Sequence, residues 1–267
     1  MIPMPQRPMH VTVVLSVYNQ ADSLPAAIES LLRQTYSDWN LLAIDDASTD
    51  DSLAVLQRYG VQDRRVQVLH NERNRGLAAS LNIGWRAAQG ELIARLDADD
   101  ECLEGRLAAQ VAFFQEHPDV DVLGTGAELL DERGAILGRA ARPERHEVLV
   151  ARIYRETPFI HPSVMMRRYV LERLGGYDEH LRRAQDADLW LRAYRRFHFH
   201  NLQTALIRYR VRRAPSLAAT YWGTFALMRA AHREGRLFTH GWYAARFLAA
   251  CLLGRAGIWK SRLKPAA

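Results

Sequence analysis

Gly90-Glu91-Leu92-Ile93-Ala94-Arg95-Leu96-Asp97-Ala98-Asp99-Asp100 is the stretch whose reading decides the fold. Its apolar run, 92–96, is short, opens behind a glycine and closes on acids, the pattern of a strand buried inside a sheet. Toward the N-terminus the same pattern recurs at 11–17, 41–44 and 66–69. Between these runs the period changes from strand-like to helical. Residues 23–34 carry Leu24, Ala27, Ile28, Leu31 and Leu32 on one stripe, and Asp50 or Asp51 caps a helix bearing Leu53, Val55 and Leu56. A third helix spans 76–89. Strand and helix in alternation imply a parallel sheet with right-handed crossovers, and such sheets bind ligands beyond the carboxyl ends of their strands. Four segments therefore matter: 16–19, 45–48, 71–76 and 97–100.

Toward the C-terminus the reading is less regular. A helix is expected over 104–116, strands over 120–130 and 136–138 around a turn at 131–134, and a short helix ending at Gly175-Gly176. Residues 186–197 form a strong helical stripe of Leu189, Trp190, Ala193, Tyr194 and Phe197. A last strand is expected over 202–209, then helices over about 216–235 and 240–256.

The 267 residues suffice for one large α/β domain and a small appendage, and 48% hydrophobic with 25% charged residues is ordinary for a globular chain. Cys102 and Cys251 stand alone without metal spacing, which favours a reducing, cytoplasmic setting. Met1 to His10 does not read as a leader, and no run of about 18 uncharged apolar residues is present. Residues 205–267 hold twelve Lys and Arg against one acid, Glu234, whereas the first 204 hold 24 basic and 29 acidic residues.

In extended backbone, residues two apart point the same way, so Asp97 and Asp99 are expected to share a ligand. Two carboxylates and few other donors suit Mg²⁺ or Mn²⁺, which keeps waters and takes phosphate oxygens. The alternative is a polar turn in which Asp99 or Asp100 caps the next helix. Asp45-Asp46-Ala47-Ser48 reads either as an Asx turn or as a carboxylate for a nucleobase imide or ribose hydroxyls. The segment Ser16-Val17-Tyr18-Asn19-Gln20 lacks the dinucleotide-binding glycines, and no phosphate-loop motif occurs anywhere.

In order along the chain, Val13–Asn19, Ala43–Asp50, Asn74–Asn82, Gly90–Asp100, His161–Met165, Gly175–Asp178 and Gln185–Arg192 resemble the family 2 inverting glycosyltransferases. The likeness runs from about residue 10 to 212. It implies the GT-A nucleotide-diphospho-sugar transferase fold, a nucleotide-sugar donor, here a UDP-sugar, and a saccharide or lipid-linked acceptor in cell-surface polysaccharide synthesis. It implies donor contacts at Ser16, Tyr18, Asn19, Asp45, Asp46, Arg75, Asp97 and Asp99. Mn²⁺ or Mg²⁺ is placed at Asp97 and Asp99 with His161, and the catalytic base at Asp186. Many members have Glu-Asp where this chain has Gln185-Asp186. His161, preceding a proline, reads equally as a structural histidine, and Arg75 as a surface arginine.

Three units are expected: a flexible 1–9, a GT-A domain over 10–212, and a basic amphipathic tail over 213–267. Within the tail, residues 241–259 interleave apolar residues with Arg246 and Arg255 and are flanked by Trp242, Tyr243 and Trp259, which suits a helix on an anionic membrane surface, the inner face in a cytoplasmic protein. No nucleic-acid module accompanies the charge. A sugar-phosphate nucleotidyltransferase would need a basic, glycine-rich loop after the first strand, which is missing. An inactive nucleotide-sugar-binding partner would not need the full acidic set.

Overall fold

A computed structural model describes residues 9–211, 217–233 and 235. The expected membrane segment, 241–259, and most of 1–9 lie outside the described residues. The first half alternates as the hydrophobic runs require: β1 (Val11–Val17), α1 (Leu24–Leu32), β2 (Trp39–Asp45), α2 (Ser52–Gln62), β3 (Val66–His70), α3 (Leu77–Ala87) and β4 (Leu92–Asp97). There follow β5 (Glu101–Cys102), α4 (Arg106–Glu116), β6 (Val122–Leu130), β7 (Ile136–Ala140) and α5 (His146–Arg152). After a 3-10 turn at His161–Ser163 come β8 (Met165–Arg167), α6 (Arg168–Leu174), α7 (Gln185–Ala193), β9 (Phe199–Arg210) and α8 (Leu217–Arg233).

The nine strands form one sheet in the order β3-β2-β1-β4-β8-β6-β9-β5, with β7 on β6. β1 to β4 are parallel to one another. β8 runs antiparallel to both β4 and β6, and β9 runs parallel to β6. The long strands thus share one direction, and only the short β5, β7 and β8 oppose it. The carboxyl ends of β1, β2, β4 and β9 consequently lie along one edge.

Two apolar layers hold the sheet. Val13, Leu15, Leu41 and Ala43 pack toward α1 and α4 through Ile28, Leu31, Leu107 and Phe114, all at most 2% exposed. Val14, Leu42 and Ile44, the alternate residues, pack on the other face against Leu81, Leu189 and Trp190 of α3 and α7. α3 lies so close that a Cβ on Gly84 would come within 2.4 Å of a Val14 methyl. The helix therefore needs glycine there despite its cost in a helix interior, about 1 kcal/mol against alanine.

Two local expectations are corrected. The backbone does not stay extended through Asp99: β4 stops at Asp97, and Asp100 N–H donates to Asp97 C=O at 3.2 Å, closing a turn. The helix expected from residue 104 starts at Arg106, because Glu101–Cys102 pairs with Arg208 and Ile207 of β9 and left-handed Gly105 intervenes. The first helix of the expected tail, α8, packs on α7 with Ala226 and Ala230 fully buried. Its Arg229 and Arg233 turn inward to Asp178 and Asp188. Among the described residues, no helix is long and apolar enough to cross a membrane.

Candidate active site

The loops after β1 and β2 are stitched together. Ser48 Oγ accepts from Asn19 N–H at 3.1 Å, Asn19 Oδ1 accepts from Thr49 N–H at 2.8 Å, and Ser52 Oγ accepts from Gln20 N–H at 2.8 Å. Asn19 and Ala47 take left-handed backbone, φ 53° and 58°. Only three described non-glycine residues do so, and the third, Ala184 (φ 58°), stands directly before α7. These conformations cost about 1 kcal/mol each and mark turns that the surroundings enforce. Ser16 lies beside Asp97 across the β1–β4 pairing, and Tyr18 is exposed.

Asp45 closes β2, Asp46 follows it, and their carboxylates meet different partners. Asp46 is buried, and its oxygens accept from Asn71 Nδ2, Arg75 N and Gly76 N, each at 2.8 Å. It brackets the 71–76 loop, so its carboxylate is occupied within the protein, where the sequence reading set it beside Asp45 on the donor. Asp45 Oδ2 accepts from Ser48 N–H at 3.2 Å and lies 2.9 Å from His70 Nδ1. Its Oδ1 is buried without a partner. A buried polar atom left so costs about 1–3 kcal/mol, and a donor group of a ligand would offset that cost. Arg75 is exposed, its guanidinium 3.9 Å from the Glu179 carboxylate.

On β4, Arg95 is almost wholly buried and donates to Asp97 Oδ1 at 2.5 Å. Asp97 and Asp99 are partly exposed on the turn. Asp100 is buried; its Oδ1 accepts from Arg210 N–H at 2.8 Å, and its Oδ2 has no partner. Burial, and then Asp97, push its carboxyl well above the usual range. Arg210 also reaches the Asp99 carbonyl, at 3.3 Å.

Asp186 lies in the first turn of α7, one residue beyond Gln185. α7 is anchored by wholly buried Asp188, which accepts from Arg192 Nε at 2.8 Å and from Arg233 at 3.2 Å. Arg192 in turn donates to the Leu174 and Gly176 carbonyls at 2.7 Å. The two halves of the chain meet at Tyr209. Burial raises its phenol first, and the charges of Asp100, Asp97, Asp186 and Asp99 raise it further. The acids after β4 and the acid of α7 thus act on one and the same phenol. His161 lies there too. Burial, and then Arg95, push its imidazole down to about 4, against the opposing charges of Asp186 and Asp97. Its Nε2 is 3.0 Å from the Tyr177 hydroxyl, and its ring rests against Trp190.

The sequence reading grouped His161 with Asp97 and Asp99 as metal ligands. Among the described residues, no three His, Cys, Asp or Glu side chains assemble into a metal-binding group. His161 Nε2 is turned to Tyr177, and Asp97 is shared with Arg95. Two partly exposed carboxylates nevertheless fit a cation such as Mg²⁺, which keeps its waters and takes phosphate oxygens rather than a protein cage. Arg95, Tyr177, Tyr209 and Arg210 were missed by sequence reasoning. For the last two, the rule that ligands gather beyond strand ends carried the signal, had it been applied to the final strand.

The sequence profile of glycosyl transferase family 2 matches residues 12–175. The putative glycosyltransferase EpsE of Bacillus subtilis (strain 168) is 40% identical over 204 residues, covering 75% of this chain and 72% of that protein. The O-antigen biosynthesis glycosyltransferase WbnJ of Escherichia coli is 28% identical over 205 residues, covering 75% and 79%. Among solved structures, S. aureus TarS 1–349 in complex with UDP-GlcNAc superposes with a TM-score of 0.70 at 21% identity, covering 91% of this chain and 72% of that one. The mannosyltransferase PcManGT from Pyrobaculum calidifontis, in complex with GDP-Man and Mn²⁺, gives 0.61 at 20% identity, covering 96% and 77%.

Proposed function

The chain belongs to glycosyl transferase family 2 and has the GT-A fold, and from that premise we propose that it is an inverting, divalent-cation-dependent transferase that moves a sugar from a UDP-sugar to an acceptor hydroxyl in cell-surface polysaccharide synthesis. The reading is carried by the family 2 profile over residues 12–175 and supported by the charges of Asp97, Asp99 and Asp186, all of which raise the Tyr209 phenol. Relatives named for O-antigen and amylovoran biosynthesis support the polysaccharide assignment.

Asp45 would accept the imide N–H of the base through its unpartnered Oδ1, with Ser48 and His70 fixing the other oxygen. Asp46 holds the 71–76 loop so that Arg75 stands at the donor edge. Mn²⁺ or Mg²⁺ at Asp97 and Asp99 would neutralise the diphosphate leaving group. Asp186 takes the proton of the acceptor hydroxyl as that oxygen bonds to C1 and the C1–O bond to the diphosphate breaks. Its fixed charge also steadies the positive charge growing at C1. α7 is a rigid mount for this base because Asp188, Arg192 and Arg233 clamp it.

The test is a panel of nucleotide sugars incubated with purified protein and Mn²⁺, read by thermal shift and by release of free nucleotide. A UDP-sugar that both stabilises the protein and yields UDP is the expected result. Stabilisation without any transfer or donor hydrolysis would instead identify an inactive nucleotide-sugar-binding partner.

A further inference from the structure

The turn bearing Asp97 and Asp99 has few fastenings of its own. One backbone bond closes it, from Asp100 N–H to the Asp97 carbonyl at 3.2 Å, and Ser23 Oγ donates to the Ala98 carbonyl at 2.9 Å. From the other side it is held by Arg210, the last residue of β9. Arg210 N–H donates to Asp100 Oδ1 at 2.8 Å, and its Nε donates to the Asp99 carbonyl at 3.3 Å. Its Nη1 donates to the Asp131 and Glu132 carbonyls at 3.0 and 3.2 Å.

Asp131 and Glu132 open the turn between β6 and β7, and that turn is braced on its own account. Asp131 Oδ1 accepts from Arg133 N–H and Ala135 N–H, each at 2.8 Å. Sheet register keeps Arg210 beside it: Arg210 pairs with Leu130, and Val211 N–H donates to the Leu130 carbonyl at 2.9 Å. One guanidinium thus ties the Asp99 turn to a second, braced turn. A planar fork with five N–H donors can reach three carbonyls on two segments, whereas a lysine offers its donors from one point. Charge does not account for the residue, because a positive group beside a cation site repels the cation. What the fork supplies is geometry. Groups that hold metal ligands in place commonly matter as much as about 10- to 100-fold in metal affinity.

We infer that Arg210 is a positioning residue for the divalent cation: by fastening the Asp99 carbonyl to the 131–134 turn, it fixes where the Asp97 and Asp99 carboxylates stand. The inference rests on the reading of those two acids as the cation's ligands.

The test titrates the full chain with UDP by calorimetry, with and without Mn²⁺, and the ratio of the two affinities measures what the cation adds. Arg210→Met keeps the stem and loses every side-chain N–H. It should abolish the gain from Mn²⁺ or cut it by about tenfold, and leave the metal-free affinity unchanged. Arg210→Lys keeps the charge but cannot span both turns, and should cut the gain too; it decides the matter if Arg210→Met no longer unfolds cooperatively in urea. Arg208→Met, on the same strand but paired with Glu101 and Glu128, reports general damage to β9 and should keep the gain within about twofold. A merely structural Arg210 would lower the urea midpoint and leave the gain intact, which overturns the inference. So would a larger gain in Arg210→Met or an undiminished one in Arg210→Lys, since charge would then govern. An equal fall in Arg208→Met would overturn it as well. So would a lower metal-free affinity in a cooperatively unfolding variant, which would make Arg210 a direct contact of the diphosphate. No gain from Mn²⁺ in the unsubstituted protein removes the cation reading itself, and the inference with it; the other outcomes leave that reading standing.

Discussion

The two acid clusters on the sheet's edge, Asp45-Asp46 after β2 and Asp97–Asp100 after β4, look alike in sequence and handle crowded charge differently. After β2, both carboxylates are buried, and the crowding is relieved by N–H donors. Asp46 takes three, and Asp45 takes one from Ser48 with His70 beside it. After β4, two carboxylates stay partly exposed, and the buried third, Asp100, has a single backbone donor and a raised pKa. There the crowding is relieved by Arg95 and by the readiness of Asp100 to hold a proton. Asp46, engaged by three N–H groups, holds a loop, whereas Asp97 and Asp99 stay partly exposed on their turn.

The largest effects should come from the acids proposed to serve the donor and the acceptor. Asp186→Asn should lower transfer by about 10³-fold, within the range for a lost general base, and leave Mn²⁺-dependent UDP binding intact. Asp99→Ala should nearly abolish transfer and that binding as well. Steady-state rates and calorimetry check both, and normal turnover by Asp186→Asn would remove it as the base. Next in size, Asp46→Ala strands two backbone N–H groups and Asn71, so urea unfolding should show a loss of about 3 kcal/mol. In the metal-free protein, Asp99→Ala should change stability by no more than about 0.5 kcal/mol. Asp100→Asn should cost less than about 1 kcal/mol, since a neutral group of the same shape already suits that site. A loss as large as that of Asp46→Ala would erase the contrast between the clusters.

The smallest effect lies at the far end of β9, where burial and His198 hold His146 below its ordinary range. Its Nδ1 accepts from Phe199 N–H at 3.1 Å. The folded state binds the proton less readily than the unfolded one, so this contribution is present above about pH 6.5 and lost as pH falls below it. Chemical denaturation across pH 5–8 should show that slope flattened in His146→Gln.

The alternating half was legible because its strands are short, mostly apolar runs bounded by turn residues, and β1, a β-branched run, lies where residues 11–17 placed it. β8 has only three residues and β5 two, too few for a period to register. α5 escaped because, of its seven residues, Leu149 alone is buried. At the site, the acids were visible as residue types, but not which of them the backbone consumes. Nothing local to Asp46 announces that Arg75 and Gly76 arrive beside it, since that contact spans some thirty residues. Likewise Arg95 reads as an interruption in an apolar run, and only the tertiary structure places its guanidinium against Asp97.

Ala47 and Ala184 carry a methyl group where the backbone twists left-handed. Glycine at either position would relieve about 1 kcal/mol in the folded chain but give back a similar amount by loosening the unfolded one. Removing a single carbon there is therefore close to neutral. Adding two heavy atoms to make a branched side chain is not, because valine or threonine tolerates that twist far less well. Sequence drift at these two corners is therefore filtered by shape: the loops that aim the acids can lose the methyl group freely but cannot take a side chain branched at Cβ.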